Sequence, residues 1–473
     1  MRRTLSSRPA SAVVRAALGL ATAIALAAPA ALAGPRWEKG DASFELSGSL
    51  RLFGLYSKQT DLDDFAAAAA EDVLGGNDRC LQAATFEDCP SFDEVGETPS
   101  GQALTRLRIE ADMRATKWLS AVVIYDNEVV AGTLDTFEAN LANALADRSF
   151  IGAEGTILEG EHVEWRHRLY RAYLEVEAKG VEARVGRMRV AWGVGKLWNP
   201  IDRFSALPPL ALQPDITPGI DGFDVRYNLD GFSYLQVVFA PARDMDDMRV
   251  AGRVHGVLFD TDLSLMGGVF EEAPVVGIDF ARNAFGAAFG FELVYTHPTR
   301  EVWPIEDAEP SVLDDYFQLV VNADRTFDVG TGLYVLVEYL YNGNALGFGS
   351  GRAGALLPLF EATDVPPDVL PGPIPGPYPT IGSVDLFGSS RVISNAAHQI
   401  GMDVGYDLTP ELRGDFVTVV DIDGGSAAFF PNLAWSPLDW MEVATGVQLF
   451  AGPKRSQFGA QKPLVYGQVD LFF

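Results

Sequence analysis

From residue 44 to residue 473, apolar and polar side chains alternate in short runs with a period of two. Eighteen runs predict strands: 44–56, 104–115, 119–130, 166–178, 181–191, 219–229, 231–241, 249–259, 262–271, 274–282, 285–297, 314–325, 330–343, 394–407, 411–422, 426–435, 439–450 and 463–473. Most approach the ~9–11 residues a strand needs to cross a bilayer at about 45°. The connections alternate too. Lys179-Gly180, Leu229-Asp230, Asp260-Thr261, Thr409-Pro410 and Ser436-Pro437-Leu438 are short and rich in turn residues, whereas 57–103, 131–165, 192–218, 298–313, 344–393 and 451–462 are long. Short turns at one end, long loops at the other and an even strand number predict an all-β, transmembrane antiparallel β-barrel. The eighteenth strand depends on dividing 274–297 at Asn283-Ala284; sixteen strands is the alternative. A soluble sandwich would also alternate, but it does not explain the loop asymmetry. In the last run Val465, Gly467, Val469, Leu471 and Phe473 share one face, which predicts a final strand that closes the barrel against the first.

Charge placement says which face meets water. In 104–115, Arg106, Arg108, Glu110, Asp112 and Arg114 alternate with Leu107, Ile109, Ala111 and Met113. An arginine facing lipid at mid-depth costs roughly 2–4 kcal/mol, so the charged row is expected to line the lumen. The same logic assigns Arg171 and Glu175 to the lumen in 166–178, with Tyr170, Ala172, Leu174 and Val176 toward lipid. Arg166 and Arg168 then fall on the lipid parity, and are expected to reach lipopolysaccharide phosphates at the outer rim. Arg184 is luminal. Strict alternation would put Arg187 and Arg189 in lipid, which predicts a β-bulge at Gly186-Arg187 that returns both to the lumen. Arg253 and Glu338 complete the expected pore lining. Such a wall sets up a transverse field that filters small polar solutes, and at this strand number a barrel has room for an aqueous channel. The opposing possibility is that the charges pair and stiffen the wall.

Two loops are candidates to narrow the lumen. Loop 192–218 is too apolar and Pro-rich to float in water, and is expected to fold inward or pack on the rim. Loop 344–393 contains Val365 to Gly382, a Pro-rich run that favours an extended course. Short helical turns are expected at 65–74 and 136–148.

The N-terminus adds a destination. Arg2, Arg3, Arg8 and Arg15 precede an apolar stretch from Ala16 to Ala28, and Ala31-Leu32-Ala33 has the form of a cleavage site. Residues 1–33 therefore read as a secretory signal peptide, and 34–473 as the barrel. Cleavage would leave 32 basic residues against 64 acidic ones, with no basic stripe, which argues against a nucleic-acid partner. Cys80 and Cys89 are the two cysteines; in an oxidising compartment they are expected to form a disulfide that pins loop 57–103. No cofactor or metal site is expected. The five histidines are scattered, no nucleophile elbow, zinc motif or phosphate loop occurs, and His398 beside Gln399 is the one hint of hydrolase chemistry. An enzyme is not expected.

Val185-Gly186-Arg187-Met188-Arg189-Val190-Ala191-Trp192-Gly193, followed by Leu197-Trp198-Asn199-Pro200-Ile201-Asp202-Arg203-Phe204, resembles a segment of porin-like bacterial outer-membrane proteins. Glu338-Tyr339-Leu340-Tyr341-Asn342-Gly343 resembles another, and Met188 stands where that pattern usually has Gln. The alginate-export barrels are similar in strand number and arginine-bearing lumen. The final strand resembles the C-terminal signal read by the barrel-assembly machinery, with Phe473 as its aromatic. These resemblances imply a general or substrate-selective porin of the Gram-negative outer membrane, in contact with lipid and lipopolysaccharide; with the arginine row the expected solutes are small, hydrophilic and anionic, and association as a homotrimer is left open. The alternatives are a polysaccharide-export barrel and a plugged structural or surface-binding barrel.

Overall fold

The computed structural model describes residues 34–60, 97–132, 150–160, 162–205, 212, 217, 219–299, 301–302, 311–312, 314–345, 396–453, 456–459 and 461–473. Eighteen antiparallel strands form a closed ring. They are β1 (Ala42–Thr60), β2 (Glu97–Thr116), β3 (Leu119–Gly132), β4 (Val163–Ala178), β5 (Val181–Met188) and β6 (Ile220–Asn228). Then come β7 (Tyr234–Ala240), β8 (Arg249–Leu258), β9 (Thr261–Phe270), β10 (Ala273–Ala284), β11 (Ala287–Thr296) and β12 (Tyr316–Phe327). The ring is completed by β13 (Leu333–Asn342), β14 (His398–Thr409), β15 (Leu412–Asp421), β16 (Ser426–Leu438), β17 (Met441–Ala451) and β18 (Leu464–Phe472). Each strand pairs with the next, and β18 pairs with β1 from Ser49↔Phe472 to Ser57↔Leu464. Phe473 exchanges two backbone hydrogen bonds with Gly48, 2.8 and 2.9 Å. A Cβ on Gly48 would lie 2.7 Å from the Phe473 ring, so the glycine makes room for the aromatic. Closure leaves no unpaired edge in the ring, which is what a lipid environment demands of a sheet.

All eighteen expected strands are present, including the two produced by dividing 274–297. The hairpin there is Phe285-Gly286, with φ of 54° and 75°; at the opposite end Glu271-Glu272 turns in two residues with φ of 51° and 67°. Positive φ at both central positions is the tight turn whose twist matches the flanking strands. Elsewhere the turns shift. Ser436 and Pro437 belong to β16, beyond a register shift after Trp435, and the chain turns at Asp439-Trp440 instead. A proline is tolerated where the ladder is already broken. Two short strands were not anticipated: Arg36–Lys39 pairs with β1, and Glu154–Gly160 pairs with the outer half of β4. The latter occupies the wall position that β5 gives up by ending at Met188. Cys80 and Cys89, the turns at 65–74 and 136–148, and nearly all of loop 344–393 lie outside the described residues.

The outer surface follows the alternation. Leu107, Ile109, Leu174, Val176, Leu265, Val276, Val337 and Ile400 project outward and are exposed. The inner surface departs from a purely charged lumen. Met188, Val238, Ala251, Met266, Val275 and Val294 form a dry cluster with Trp192, Ile201 and Phe204. A second cluster joins Trp198 to Val320, Leu340, Val419, Ala428, Phe430 and Phe458. Both are built on residues that the sequence places between strands. An arginine at Leu265, 55 % exposed on the outer face of β9, should lower stability by roughly 2–4 kcal/mol in denaturant titrations in phospholipid vesicles, because the charge would face hydrocarbon.

Candidate functional site

After Met188 the chain leaves the wall and runs through the lumen as far as Ser205. Two wall carboxylates hold it. Glu292 on β11 accepts hydrogen bonds from the backbone N–H groups of Val194, Gly195 (2.6 Å) and Ile201 (3.1 Å). Glu338 on β13 accepts from Lys196 (2.7 Å), Leu197 (2.9 Å) and Trp198 (2.7 Å), and from the Asn322 amide (3.1 Å). Both glutamates have no exposed surface. A buried carboxylate is tolerated only when its lone pairs are met, and here the unpaired amides of an irregular loop meet them. The loop is shaped for this. Gly193 has φ of 89°, and a Cβ there would lie 2.5 Å from Glu292 Oε1. Wall glycines seat its side chains: a Cβ on Gly401 would come within 2.2 Å of Leu197 Cδ1, and one on Gly277 within 2.6 Å of Ile201 Cδ1.

Further along, Arg203 donates to Pro200 O (2.9 Å), Thr296 Oγ1 (3.0 Å) and Gln318 Oε1 (2.9 Å). Asp202 accepts from the N–H groups of Ser205 (2.9 Å) and Phe204 (3.3 Å). Burial pushes the Asp202 carboxyl up to about 7, although those two N–H groups and the nearby Arg189 and Arg249 favour its ionised form. The returning leg is pinned on the opposite wall. The Thr217 N–H donates to Tyr170 Oη (2.9 Å), and Arg171 donates to Thr217 O (2.7 Å) and Oγ1 (3.1 Å). Arg108 and Arg171 stack over the Tyr170 ring at 4.0 and 4.1 Å from its centroid. Leu212 packs on Phe53, Leu55 and Leu104. Phe458, in the connection between β17 and β18, enters the lumen as well.

Beside the loop stands a ladder of arginines. Arg106 donates to Glu128 at 2.5 Å, Arg108 to both oxygens of Asp126 at 2.6 and 2.8 Å, and Arg166 to Glu128 at 2.7 Å. Arg168 reaches Glu128 at 3.4 Å and Asp126 at 3.6 Å. The expected place of Arg166 and Arg168 at the rim is corrected here. Ile124 pairs with Arg171 but Tyr125 pairs with Leu169, so Tyr170 is an extra residue that reverses the alternation and turns both arginines inward. The bulge expected at Gly186-Arg187 is absent. Pairing runs unbroken from Val181 to Arg187 against β4 and to Met188 against β6. Arg187 is instead built into the wall, donating to Asp221 (2.7 Å), Leu169 O (3.1 Å) and Ile151 O. Arg189 is exposed.

Glu110, Asp112 and Arg114 continue the ladder face along β2 toward its short-turn end. Glu175 lies opposite Arg184, which is ion-paired with Asp224. Arg253 binds Asp279 (3.1 Å) and Ser264 (2.7 Å). His398 stacks on Tyr339 and lies tilted against Tyr341, and its Nδ1 is 2.7 Å from Tyr339 Oη. The sequence reading missed Asp126, Glu128 and Glu292. The signal for the first two was available: Asp126 and Glu128 share the inward parity of β3, facing an arginine row on the neighbouring strand.

No protein-family model and no curated protein sequence matches this chain. Among solved structures it is similar to OccAB1 of Acinetobacter baumannii, at 10% identity over 92% of this chain and 96% of that one, with a TM-score of 0.49. It is similar to OccK9 (OpdG) of Pseudomonas aeruginosa at 11%, over 92% and 99%, with a TM-score of 0.47. It is also similar to OmpF of Salmonella typhi, solved in complex with daunomycin, at 8%, over 93% and 100%, with a TM-score of 0.42. No residue here takes a role from those proteins.

Glu338→Gln should free the strap locally. It replaces charge-assisted bonds, each worth about 1.5–3 kcal/mol, by weaker ones, so amide exchange at Lys196, Leu197 and Trp198 should accelerate by about tenfold or more while β13 stays protected. The loop should also respond to pH. In place, Asp202 holds its proton up to about 7; released into water it gives it up near the ordinary ~3.9. The linked stability is therefore full in acid and is lost as pH rises through that window. Amide protection over 199–205, corrected for intrinsic exchange, should fall as pH rises to about 7, and Asp202→Asn should flatten the dependence.

Proposed function

We propose that this barrel is an outer-membrane channel through which small hydrophilic anions diffuse passively. The observation that supports it most directly is a surplus of cations beside the inward loop. Arg106, Arg108, Arg166 and Arg168 meet Asp126 and Glu128, with Glu164 at 3.9 Å from Arg166 as a third carboxylate. Arg171, whose partners include neutral oxygens of Tyr170 and Thr217, stands next to them, and Arg189 and Lys196 are exposed nearby in sequence. A constriction of low-dielectric walls focuses such a surplus on whatever crosses it. Passage needs attraction strong enough to admit an ion and weak enough to release it, which a diffuse surplus provides better than a tight site.

The outer surface supports the location. Its apolar belt suits hydrocarbon, and closed barrels rather than open sheets satisfy their backbone there. In this reading the barrel sits in the bacterial outer membrane, with lipid around the belt, lipopolysaccharide at the rim, Phe473 engaged by the assembly machinery and three copies associating. A barrel sealed by its own loop is the competing reading, favoured by the two dry clusters around Trp192 and Trp198.

Single-channel recording of the refolded protein in a planar bilayer separates them. Steady open current, with a reversal potential on the anion side under a salt gradient, is expected. A demonstrably folded barrel that stays silent would overturn the channel reading in favour of a sealed lumen.

A further inference from the structure

The surplus of positive charge in the lumen is not evenly available to a passing ion. The ladder arginines are engaged: Arg106, Arg108, Arg166 and Arg168 all lie within salt-bridge distance of Asp126 or Glu128, and their side chains are at most 20 % exposed. Arg187 is spent on Asp221 and two backbone carbonyls. Arg203 is buried among Pro200, Thr296 and Gln318. Arg114, at the short-turn end of β2, is exposed with no ion pair among the described residues, and so are two cations of the strap itself. Lys196 and Arg189 are exposed and have no ion pair among the described residues.

Both are presented by rigid backbone. The N–H groups of Lys196, Leu197 and Trp198 all end on Glu338, so the lysine stem rises from a fixed point on the strap. Trp198 beside it is buried, and Leu197 rests on Gly401. Glu338 itself has no exposed surface, and its oxygens accept from three backbone amides and Asn322 with no direct ion pair to the lysine ammonium. Arg189 lies between Met188 and Val190, both buried in the dry cluster, which leaves its own side chain the one that faces water.

We infer that Lys196 on the strap and Arg189 at the strap's base are the side chains that select anions in this lumen, and that the arginine ladder serves chiefly to hold the wall and the loop. This rests on the channel reading above and narrows it to two residues. It assigns specificity to an irregular loop rather than to the more conspicuous row of arginines on β2 and β4. A unit charge ~6 Å from a passing ion in a water-like lumen changes that ion's local concentration by about threefold. The effect should be screened away near ~1 M salt, where the Debye length is about 3 Å.

The test uses the full-length barrel in a planar bilayer with potassium chloride gradients at low and high salt. Lys196→Gln and Arg189→Gln should each lower the chloride-to-potassium permeability ratio by about threefold at low salt and leave it nearly unchanged near ~1 M. Lys196→Arg should keep the wild-type ratio. Lys196 has no side-chain partner among the described residues, so its variants should fold, and circular dichroism and heat-resistant mobility check this. Conducting Lys196→Gln and Arg189→Gln channels with an unmoved ratio would overturn the assignment while leaving the channel intact. A folded wild type that carries no current would instead overturn the channel reading beneath it.

Discussion

Two buried carboxylates organise the interior of this barrel. Glu292 and Glu338 stand on neighbouring parts of the wall and accept the backbone N–H groups of residues 194–198 and 201. Neither partner could be left as it is without the other. A carboxylate without donors in a dry site is costly, and an irregular loop away from bulk water leaves amides with nothing to bind. Each satisfies the other. The apolar side chains of the loop then have a place to go, and the wall supplies it by carrying glycine at 277 and 401, where Ile201 and Leu197 press against the strands.

The opposite wall obeys a related constraint with the signs reversed. One extra residue, Tyr170, turns Arg166 and Arg168 inward toward Glu128. The same tyrosine holds the returning leg of the loop through Thr217, with two guanidinium groups stacked on its ring. The loop is thus tied across the lumen, to carboxylates on one side and to a tyrosine and an arginine on the other. Its exposed cations inherit fixed positions from that double attachment, which is why a lysine on a loop can act with the definition of a strand residue.

Legibility in the sequence differs by feature. Each strand announces itself, because the alternation that marks it is set by its own residues facing lipid on one side. That loop 192–218 would not float in water, but fold inward or pack on the rim, was legible for the same reason: Trp192, Trp198, Ile201 and Phe204 have no stable place in water. The arginine row on β2 was legible as an inner face. Its partners were legible only as residues of inward parity on the next strand; whether Arg106 lines water or meets Glu128 depends on how β3 lies against β2. The phase of β4 was misread because a single bulged residue reverses every side chain beyond it, and Tyr170 looks like an ordinary lipid-facing aromatic. The supposed bulge in β5 was inferred to rescue Arg187 from lipid, but the rescue comes from Asp221 and from a short segment, 150–160, lying along β4.

What the chain alone determined is therefore the set of strands, the outward face of those without a bulge, and the segment that must be hidden. Those follow from side chains and solvent at short range, with a repeat of two residues. Closure of the ring decided the rest. The bond between the Trp198 amide and Glu338 spans 140 residues, and that between Arg203 and Gln318 spans 115. No local pattern encodes such a meeting. It exists only once the strands are in register, and it converts a charged lumen into a strapped one in which Lys196 and Arg189 stay exposed.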